Sequence, residues 1–264
     1  AGGADDAYFA LLRNFRRHAW LCFYLFGASP AVCPSFVGEC EPGARPHGLE
    51  RLQRKTLYLP HATTLRMGRL GYQSDAQSSI FASCNDLESY AAGLEPALVQ
   101  SYEPYEKIGI RDPEGRGPAG GYRQLGTTLL QIENEFYGKI RPKRTIRQGE
   151  RPLHALRERG VEYVEVRLMD LDPYSLVGIN ASTMRMLDIF LLHCLLTDSP
   201  NDTPGELAAI SRNQERVAGR GREPGLTLTR DGVETRLFEW GGALLAECEP
   251  IAEALDAAHG TRDY

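Results

Sequence analysis

The 264-residue sequence is poor in lysine and lacks the closely spaced cysteine pairs that bind zinc or carry out thiol redox chemistry. It has six cysteines, and none of them stands in CxxC or CxxxC spacing. Most lie in apolar neighbourhoods, which favours reduced, buried thiols in a cytosolic protein, although Cys33 and Cys40 could pair locally. Only four of the 30 basic residues are lysine, namely Lys55, Lys107, Lys139 and Lys143. We attribute this excess of arginine to genomic composition.

Long apolar runs and a signal-peptide pattern are also absent. No stretch approaches the roughly 20 apolar residues that span a bilayer, and the most apolar one, Ala19–Phe26, is less than half that length. The formal net charge of -5 argues against a general nucleic-acid binder, whose phosphate contacts need a basic surface. We therefore predict a cytoplasmic globular protein that binds neither membrane nor nucleic acid.

Hydrophobic periodicity and end signals predict a chain rich in helices. We expect helices over about 6–27, 85–98 (capped by Asn85), 184–196 (capped by Ser182), 203–217 and 242–259. A short strand is predicted at 57–60, and the segment 38–55 is predicted as an exposed loop. Two strands, at 226–229 and 233–238, flank Asp231-Gly232 in a hairpin pattern.

Two stretches of alternating residues carry most of the side chains that suggest chemistry. Gln131–Tyr137 and Val161–Arg167 alternate polar residues with β-branched or aromatic ones, and we predict that both are strands. Because successive strand side chains point to opposite faces, Glu165 and Arg167 would share a face. A carboxylate can bind a divalent metal, and a guanidinium can stabilise a phosphoryl group during transfer. A surface ion pair is the simpler explanation of this spacing.

The segment between these two predicted strands is strongly basic, with Glu150 as its one acidic residue. Its cations are Lys139, Arg141, Lys143, Arg144, Arg147 and Arg151. We predict a basic loop followed by a short helix over Pro152–Arg159, with proline in its first turn and Gly160 just beyond its end. Such a density of cations suits phosphate or carboxylate ligands, although a solvated loop is the simpler alternative.

Several sequence words, occurring in one order, resemble the proteobacterial type of glutamate-cysteine ligase, also called γ-glutamylcysteine synthetase. The words are YLFGASPAVC (24–33), LPHATTLRMGRLGY (59–72), LQIENEFY (130–137), IRPKR (140–144), GVEYVEVR (160–167) and PGLTL (224–228). The similarity extends from about Tyr8 to the end of the chain. It implies an α+β fold of the glutamine synthetase-like class, in which helices wrap an antiparallel sheet, with residues 1–264 forming a single catalytic-region piece.

The resemblance also implies a reaction. In that family ATP phosphorylates the γ-carboxylate of L-glutamate, and the amine of L-cysteine then attacks the acyl phosphate in the first step of glutathione biosynthesis. The cofactors would be ATP and Mg²⁺, with Mn²⁺ as a possible substitute. Arg167 resembles the catalytic arginine that stabilises the transferring phosphoryl group. Glu165 resembles a ligand of the divalent metals.

Further residues acquire roles from the same resemblance. Arg66 resembles an arginine of the amino-acid substrate site, and Tyr72 and Tyr137 resemble tyrosines that hold the carboxylate of the incoming cysteine. Lys143 and Arg144 would contact the phosphates of the nucleotide. Taken alone, Arg66 would be a surface arginine and Tyr72 a core aromatic residue with a polar tip.

One part of the family pattern has no counterpart in this sequence. Family members are much longer, and their N-terminal portion supplies a glutamate-rich strand with most of the remaining metal ligands. The chain begins Ala1-Gly2-Gly3 without methionine, so we expect it to be the later part of such an enzyme, with the N-terminal segment as its partner. Three alternatives stay open: a related ligase with another amine acceptor, a non-catalytic nucleotide-binding module, and a purely structural role.

Overall fold

The computed structural model describes residues 3–37, 48–71, 77, 80, 82–116 and 121–264. These residues belong to two compact units, the first formed by Ala1–Phe9 with Ser74–Glu165 and the second by Ala10–Gln73 with Val166–Tyr264. Helices accompany small antiparallel sheets, so the predicted α+β class is confirmed. Among the residues so described, no helix is long and apolar enough to cross a membrane.

The helices and the strands are each numbered in chain order. The helices are α1 (Ala4–Phe26), α2 (Leu87–Val99), α3 (Glu103–Ile108), α4 (Pro152–Arg159), α5 (Ala181–Leu196), α6 (Pro204–Arg220) and α7 (Leu237–His259). The strands are β1 (Ala31–Val32), β2 (Glu50–Gln53), β3 (Thr56–Tyr58), β4 (Ile140–Lys143), β5 (Tyr163–Val166), β6 (Thr227–Arg230) and β7 (Val233–Arg236). They form three sheets, with strand orders β1-β3-β2, β4-β5 and β6-β7.

The long helix α1 supplies much of the core of the second unit. Four of its apolar positions at helical spacing are buried, namely Leu12, Phe15, Ala19 and Phe23, whereas Tyr8 and Phe26 are only partly buried. The ring of Phe15 meets that of Phe190 in α5 edge to face, with centroids 5.5 Å apart. The side-chain amide of Asn14 donates to the carbonyls of Cys194 and Thr197, both at 3.0 Å. Carbonyls at the end of α5, which lack helical partners, are thus bonded to α1.

The hairpin and the last helix complete the second unit. Asp231 and Gly232 both have positive φ, 50° and 79°, the combination that a two-residue hairpin turn needs, and the predicted hairpin is confirmed. We predicted a helix from 242, whereas α7 begins at Leu237 and continues through Pro250. Core packing explains the earlier start, because the ring of Trp240 packs against that of Trp20 with centroids 4.9 Å apart.

The first unit is organised around α2 and α4, which pack against each other. Asp86 rather than Asn85 caps α2, because its carboxylate accepts a hydrogen bond from the backbone amide of Ser89 at 2.7 Å. Arg157 of α4 forms ion pairs with Glu88 and Glu95 of α2. The predicted bounds of α4 are confirmed.

The predicted strand over Gln131–Tyr137 is wrong. Glu133–Glu135 form one turn of 3₁₀ helix instead, and strand β4 lies in the segment that we predicted as a basic loop. The Glu135 carboxylate accepts hydrogen bonds from two backbone amides just upstream, at 2.6 and 3.3 Å. The Glu133 carboxylate accepts one from the amide of Leu153 at the start of α4, at 2.6 Å. Both glutamates therefore bond backbone donors, which fixes a turn rather than a strand.

Other local predictions have mixed outcomes. Asn180, not Ser182, caps α5, and β2 occupies part of the predicted loop at 38–55. The thiols of Cys22, Cys194 and Cys248 are free and buried, as predicted, Cys84 is also buried, and the thiol of Cys33 is free and exposed. Cys40, the partner suggested for Cys33, lies outside the described residues.

Candidate active site

The two-stranded sheet β4-β5 gathers the charged residues of the first unit. Helix α4 connects the two strands, and the backbone amide of Glu162 donates to the carbonyl of Lys143 at 2.9 Å. Because side chains alternate along each strand, the cations are divided between two clusters. Arg141 and Lys143 lie beside Glu165, whereas Arg144 lies beside Glu162.

The Glu165 cluster, which consists of Glu165, Arg141, Lys143 and Asn134, has closely defined geometry. Arg141 donates from Nε and Nη2 to Oε2 of Glu165, at 3.2 and 2.8 Å. Its Nη1 donates to the carbonyls of Asn134 and Phe136, at 3.0 and 3.2 Å. The Lys143 ammonium lies 3.6 Å from the same Glu165 oxygen and donates to Oδ1 of Asn134 at 3.3 Å.

The burial of these side chains indicates that Arg141 has a different role from Lys143 and Glu165. The Arg141 side chain is only 6% exposed and bonds acceptors of the protein, so it anchors Glu165. The side chains of Lys143 and Glu165 are 21% and 37% exposed and are within reach of a ligand. An ammonium that is partly exposed, as that of Lys143 is, can bind an anionic ligand. Arg141 was predicted only as one cation of a basic loop, and its anchoring role follows from its burial in β4.

Arg144 belongs to a second cluster, which contains Glu162, Arg159 and Glu150. Its Nη1 donates to the carbonyl of Arg159 at 2.8 Å, and its Nε lies 3.6 Å from Oε2 of Glu162. Arg159 also pairs with Glu150 through two hydrogen bonds, and these, with the backbone amide of Arg147, lower the pKa of Glu150 to about 2. The structure therefore does not place Arg144 with Lys143 at one cluster.

In the second unit, Arg66 braces the backbone that carries Arg167. Its Nη2 donates to the carbonyl of Arg167 at 3.0 Å and its Nη1 to that of Met169 at 3.1 Å. Arg66 also lies 3.9 Å from Asp170, whose side chain is 3% exposed and accepts a hydrogen bond from the Ser29 hydroxyl at 2.7 Å. The buried Asp170 carboxylate thus anchors this segment to Ser29. Arg167 follows β5 directly and is half-buried.

Of the two tyrosines predicted to bind substrate, the structure describes only Tyr137. Tyr72 lies outside the described residues. Tyr137 is 42% exposed, and its backbone amide donates to Oε1 of Gln77 at 3.1 Å. The Gln77 amide donates in turn to the carbonyl of Glu135 at 3.0 Å, so Gln77 fixes the turn that presents Tyr137. The sequence alone gave no sign of this contact, which joins residues 60 positions apart.

The described residues do not form a complete site for a divalent ion at Glu165. A Mg²⁺ ion takes about six oxygen ligands, and Arg141 and Lys143 already lie against the Glu165 carboxylate. The group of at least three possible metal ligands in the described part of the chain lies elsewhere, at Glu150, His154 and Glu158 of the α4 region. Glu165 can thus serve as one ligand, and the others would have to come from outside the described residues.

Comparison with known proteins identifies relatives over nearly the whole chain. The chain is 49% identical over 262 residues to a glutamate-cysteine ligase of Saccharophagus degradans. The matched region covers 98% of this chain and 48% of the relative. A glutamate-cysteine ligase of Janthinobacterium is 48% identical over 253 residues, covering 96% of this chain and 46% of the relative. The chain therefore spans about half the length of these curated relatives.

Solved structures agree with this result. The structure of the Francisella tularensis glutamate-cysteine ligase in complex with AMP matches with a TM-score of 0.86 and 36% identity, over 95% of this chain and 48% of that one. A bifunctional glutathione synthetase from Pasteurella multocida shares the fold, with a TM-score of 0.59, 21% identity, and coverage of 94% of this chain and 25% of that one. The family model described as glutamate-cysteine ligase matches residues 2–217. This chain belongs to the glutamate-cysteine ligase family.

Proposed function

We propose that this chain is part of an enzyme that joins the γ-carboxylate of L-glutamate to the amine of L-cysteine at the expense of ATP, the first step of glutathione biosynthesis. Family membership over residues 2–217 carries the proposal. A carboxylate is a poor electrophile, so its oxygen first takes the γ-phosphoryl group and ADP leaves. The amine nitrogen then attacks the acyl carbon, the C–O bond to phosphate breaks, and the amine loses a proton.

The Glu165 cluster is the proposed nucleotide site within this chain. The Francisella tularensis relative, by its description, holds AMP, which supports a nucleotide site in this fold. Lys143 would contact a phosphate as a point charge, since its ammonium is partly exposed and Arg141 also bonds Glu165. Arg144 would join it only by giving up its bond to the Arg159 carbonyl.

Mg²⁺, or Mn²⁺ in its place, belongs to the proposal as the ion that accompanies ATP. Glu165 would hold it through a carboxylate oxygen, with the remaining ligands supplied from outside the described residues. When bound, such an ion neutralises charge on the phosphates of the nucleotide. Arg141 would keep the Glu165 carboxylate oriented, since it donates two hydrogen bonds to one of the carboxylate oxygens.

The amino-acid substrates would be bound by Arg66, Tyr72 and Tyr137. The Arg66 side chain is 39% exposed, so a substrate carboxylate can approach it while two of its nitrogens stay on the carbonyls of Arg167 and Met169. Arg167 would stabilise the charge that develops on the phosphoryl group during transfer.

A nucleotide-binding module that turns nothing over is the second candidate. It is favoured by one observation, that the chain spans 46–48% of its curated relatives. The two candidates are separated by incubating the chain with MgATP, glutamate and cysteine, with and without the portion of the Saccharophagus degradans relative that lies outside the match. Phosphate release that depends on both amino acids supports the ligase. Nucleotide binding without such release in either mixture supports the module.

The Lys143→Gln variant of this chain is expected to bind nucleotide more weakly, by about tenfold, because one charge-assisted contact to phosphate is lost. Titration with a fluorescent ATP analogue measures the change. Lys107→Gln is the matched control, because Lys107 lies in the same unit, is 73% exposed and pairs only with Glu103 in its own helix among the contacts described. Equal affinity of both variants would remove Lys143 from the site.

The completed ligase is this chain combined with the portion of the Saccharophagus degradans relative that lies outside the match. In it, Glu165→Gln is expected to raise the Mg²⁺ concentration for half-maximal turnover about tenfold or more, because a neutral amide is a poorer ligand than a carboxylate. Glu103→Gln, a change of the same kind at a 75% exposed side chain in the same unit, should leave it unchanged. Loss of the Arg141 ion pair alone would lower the unfolding temperature without moving the Mg²⁺ dependence. An unaltered Mg²⁺ dependence would therefore show that Glu165 acts structurally.

A further inference from the structure

The connection between β5 and α5 presents an unusual group of exposed apolar side chains. We call residues 171–179 the apolar loop. Relative to the fully accessible residue, Leu171 is 79% exposed, Tyr174 98%, Leu176 106% and Val177 80%. Single exposed apolar residues are normal on a protein surface, but a contiguous group of this kind marks an interaction site.

The apolar loop is held in one conformation by its own hydrogen bonds. The backbone amide of Asp172 donates to the carbonyl of Gly178 at 2.7 Å, and that of Gly178 donates to Ser175 at 3.1 Å. The Asp172 carboxylate accepts hydrogen bonds from the amide of Tyr174 at 2.9 Å and from the side chain of Asn180 at 3.1 Å. The one charge of the loop is therefore bonded internally, and the apolar side chains are left pointing outward.

Both ends of the apolar loop are fixed to the second unit. Asp170, just before it, is buried and bonded to Ser29, and Asn180, just after it, caps α5 through the amide of Thr183 at 2.9 Å. Gly178 has a φ of 76°, and a Cβ there would lie 2.7 Å from the Leu171 side chain. A loop ordered in advance loses little conformational entropy on binding, which is a property of a docking element.

We propose that the apolar loop docks into an apolar cleft on the part of the ligase polypeptide that lies outside the region matched between this chain and its relatives. The relatives are about twice as long as the matched region, and their two portions have to pack against each other within one enzyme. The surface of the loop offers Leu, Tyr and Val side chains and no unbonded charge, so the acceptor has to be apolar. A second copy of this chain is the alternative occupant, and self-association of the chain would reveal it.

The test is a binding measurement between this 264-residue chain and the separately expressed portion of the Saccharophagus degradans ligase that lies outside the match. A double variant, Tyr174→Ser with Leu176→Ser, should weaken binding at least about tenfold. Phe238→Ser is the matched control, since Phe238 is 79% exposed in the same unit, and it should change affinity less than about twofold. Gly178→Ala keeps the apolar side chains but disturbs the turn, and it should also weaken binding.

Several outcomes would overturn the proposal. In the first, the wild-type chain does not bind the separately expressed portion of the relative. In the second, the double variant binds that portion as tightly as the wild type does. Concentration-dependent self-association of the chain that the double variant abolishes would make a second copy the occupant. Because the replaced side chains are almost fully exposed, the unfolding temperature should not change. The inference depends on family membership and not on the proposed catalytic roles, and binding is measured without nucleotide or amino acids, so a failed activity assay leaves its outcome unaffected.

Discussion

Arg167→Ala is expected to lower kcat of the completed ligase about 10²–10³-fold, while the KM for ATP changes little. The expectation follows from the proposed role, because charge on the transferring phosphoryl group develops only in the transition state. Steady-state phosphate release, measured after this chain is combined with the portion missing from the match, gives both constants. Arg66 bonds the carbonyl of Arg167 and not its side chain, so alanine keeps that backbone anchor.

Two further variants test whether the effect is specific to the guanidinium group of Arg167. Arg167→Lys keeps the positive charge but loses the planar set of donors, and its kcat should lie between those of wild type and Arg167→Ala. Arg185→Ala is the matched control, because Arg185 belongs to the same unit, has a side chain that is 34% exposed and pairs with Asp263 at 3.0 Å. It should turn over at the wild-type rate. A wild-type kcat in Arg167→Ala would show that the arginine has no part in phosphoryl transfer.

The sequence predicted the elements that local chemistry determines. Thr203 accepts a hydrogen bond from the amide of Glu206 at 3.2 Å and begins α6, as the capping-box pattern indicated. Asp231-Gly232 forms the hairpin turn, because only this kind of pair readily takes two positive φ angles. Pro152 and Gly160 mark the two ends of α4. In each case the decisive contacts lie within a few residues, so a short window of sequence contains them.

The turn at 131–137 shows what periodicity cannot detect. Its alternation of polar and apolar residues is typical of a strand, yet Glu133 bonds the amide of Leu153, 20 residues away. Gln77 bonds the backbone of Tyr137 from a distance of 60 residues in sequence. Strand propensity is weak compared with such tertiary contacts. Long-range partners are invisible in a local pattern, and they determined the structure here.

The same limit applies to the candidate site. The family resemblance gave Lys143 and Glu165 separate roles, and the structure places the Lys143 ammonium 3.6 Å from the Glu165 carboxylate on the paired strands β4 and β5. The anchoring roles of Arg141 and Asp170 depend on burial, which becomes visible only in three dimensions. The roles assigned to Arg66, Tyr137 and Arg167 stay predictions that came from family resemblance.

His18 should make the free energy of unfolding of this chain depend on pH between about 3 and 6.5. It lies on α1, and its ring meets those of His193 and Trp240 with centroids 6.1 and 6.0 Å away. Its Nδ1 is inaccessible to solvent and has no hydrogen-bond partner among the described residues. Burial, then the positive charges that His193, Arg17 and Arg230 can carry, lower the pKa of His18 to about 3.

The direction of the pH effect follows from this depressed pKa. In the unfolded chain His18 takes up a proton below a pKa of about 6.5, whereas in the folded chain it stays neutral until pH falls to about 3. Acid therefore favours unfolding, and between these limits the group removes about 1.4 kcal/mol of stability per pH unit. At pH 5 the loss relative to pH 7.5 should be about 2 kcal/mol. Glu247 of α7 bonds His193 at 2.8 Å.

Urea unfolding of wild type and His18→Phe at pH 7.5 and pH 5 measures the effect. Phenylalanine fills a similar volume and binds no proton, so the variant should lose about 2 kcal/mol less stability than wild type between the two pH values. Phe238→Leu is the control, because Phe238 lies in the same unit, is 79% exposed and binds no proton, so the exchange should leave the pH dependence unchanged. NMR gives a second measure that needs no variant, since the ring C–H signals of His18 should not titrate between pH 7.5 and pH 4. A ring that titrates near pH 6, or equal pH dependence in wild type and His18→Phe, would mean that His18 is not held neutral by the packing of α1, α5 and α7.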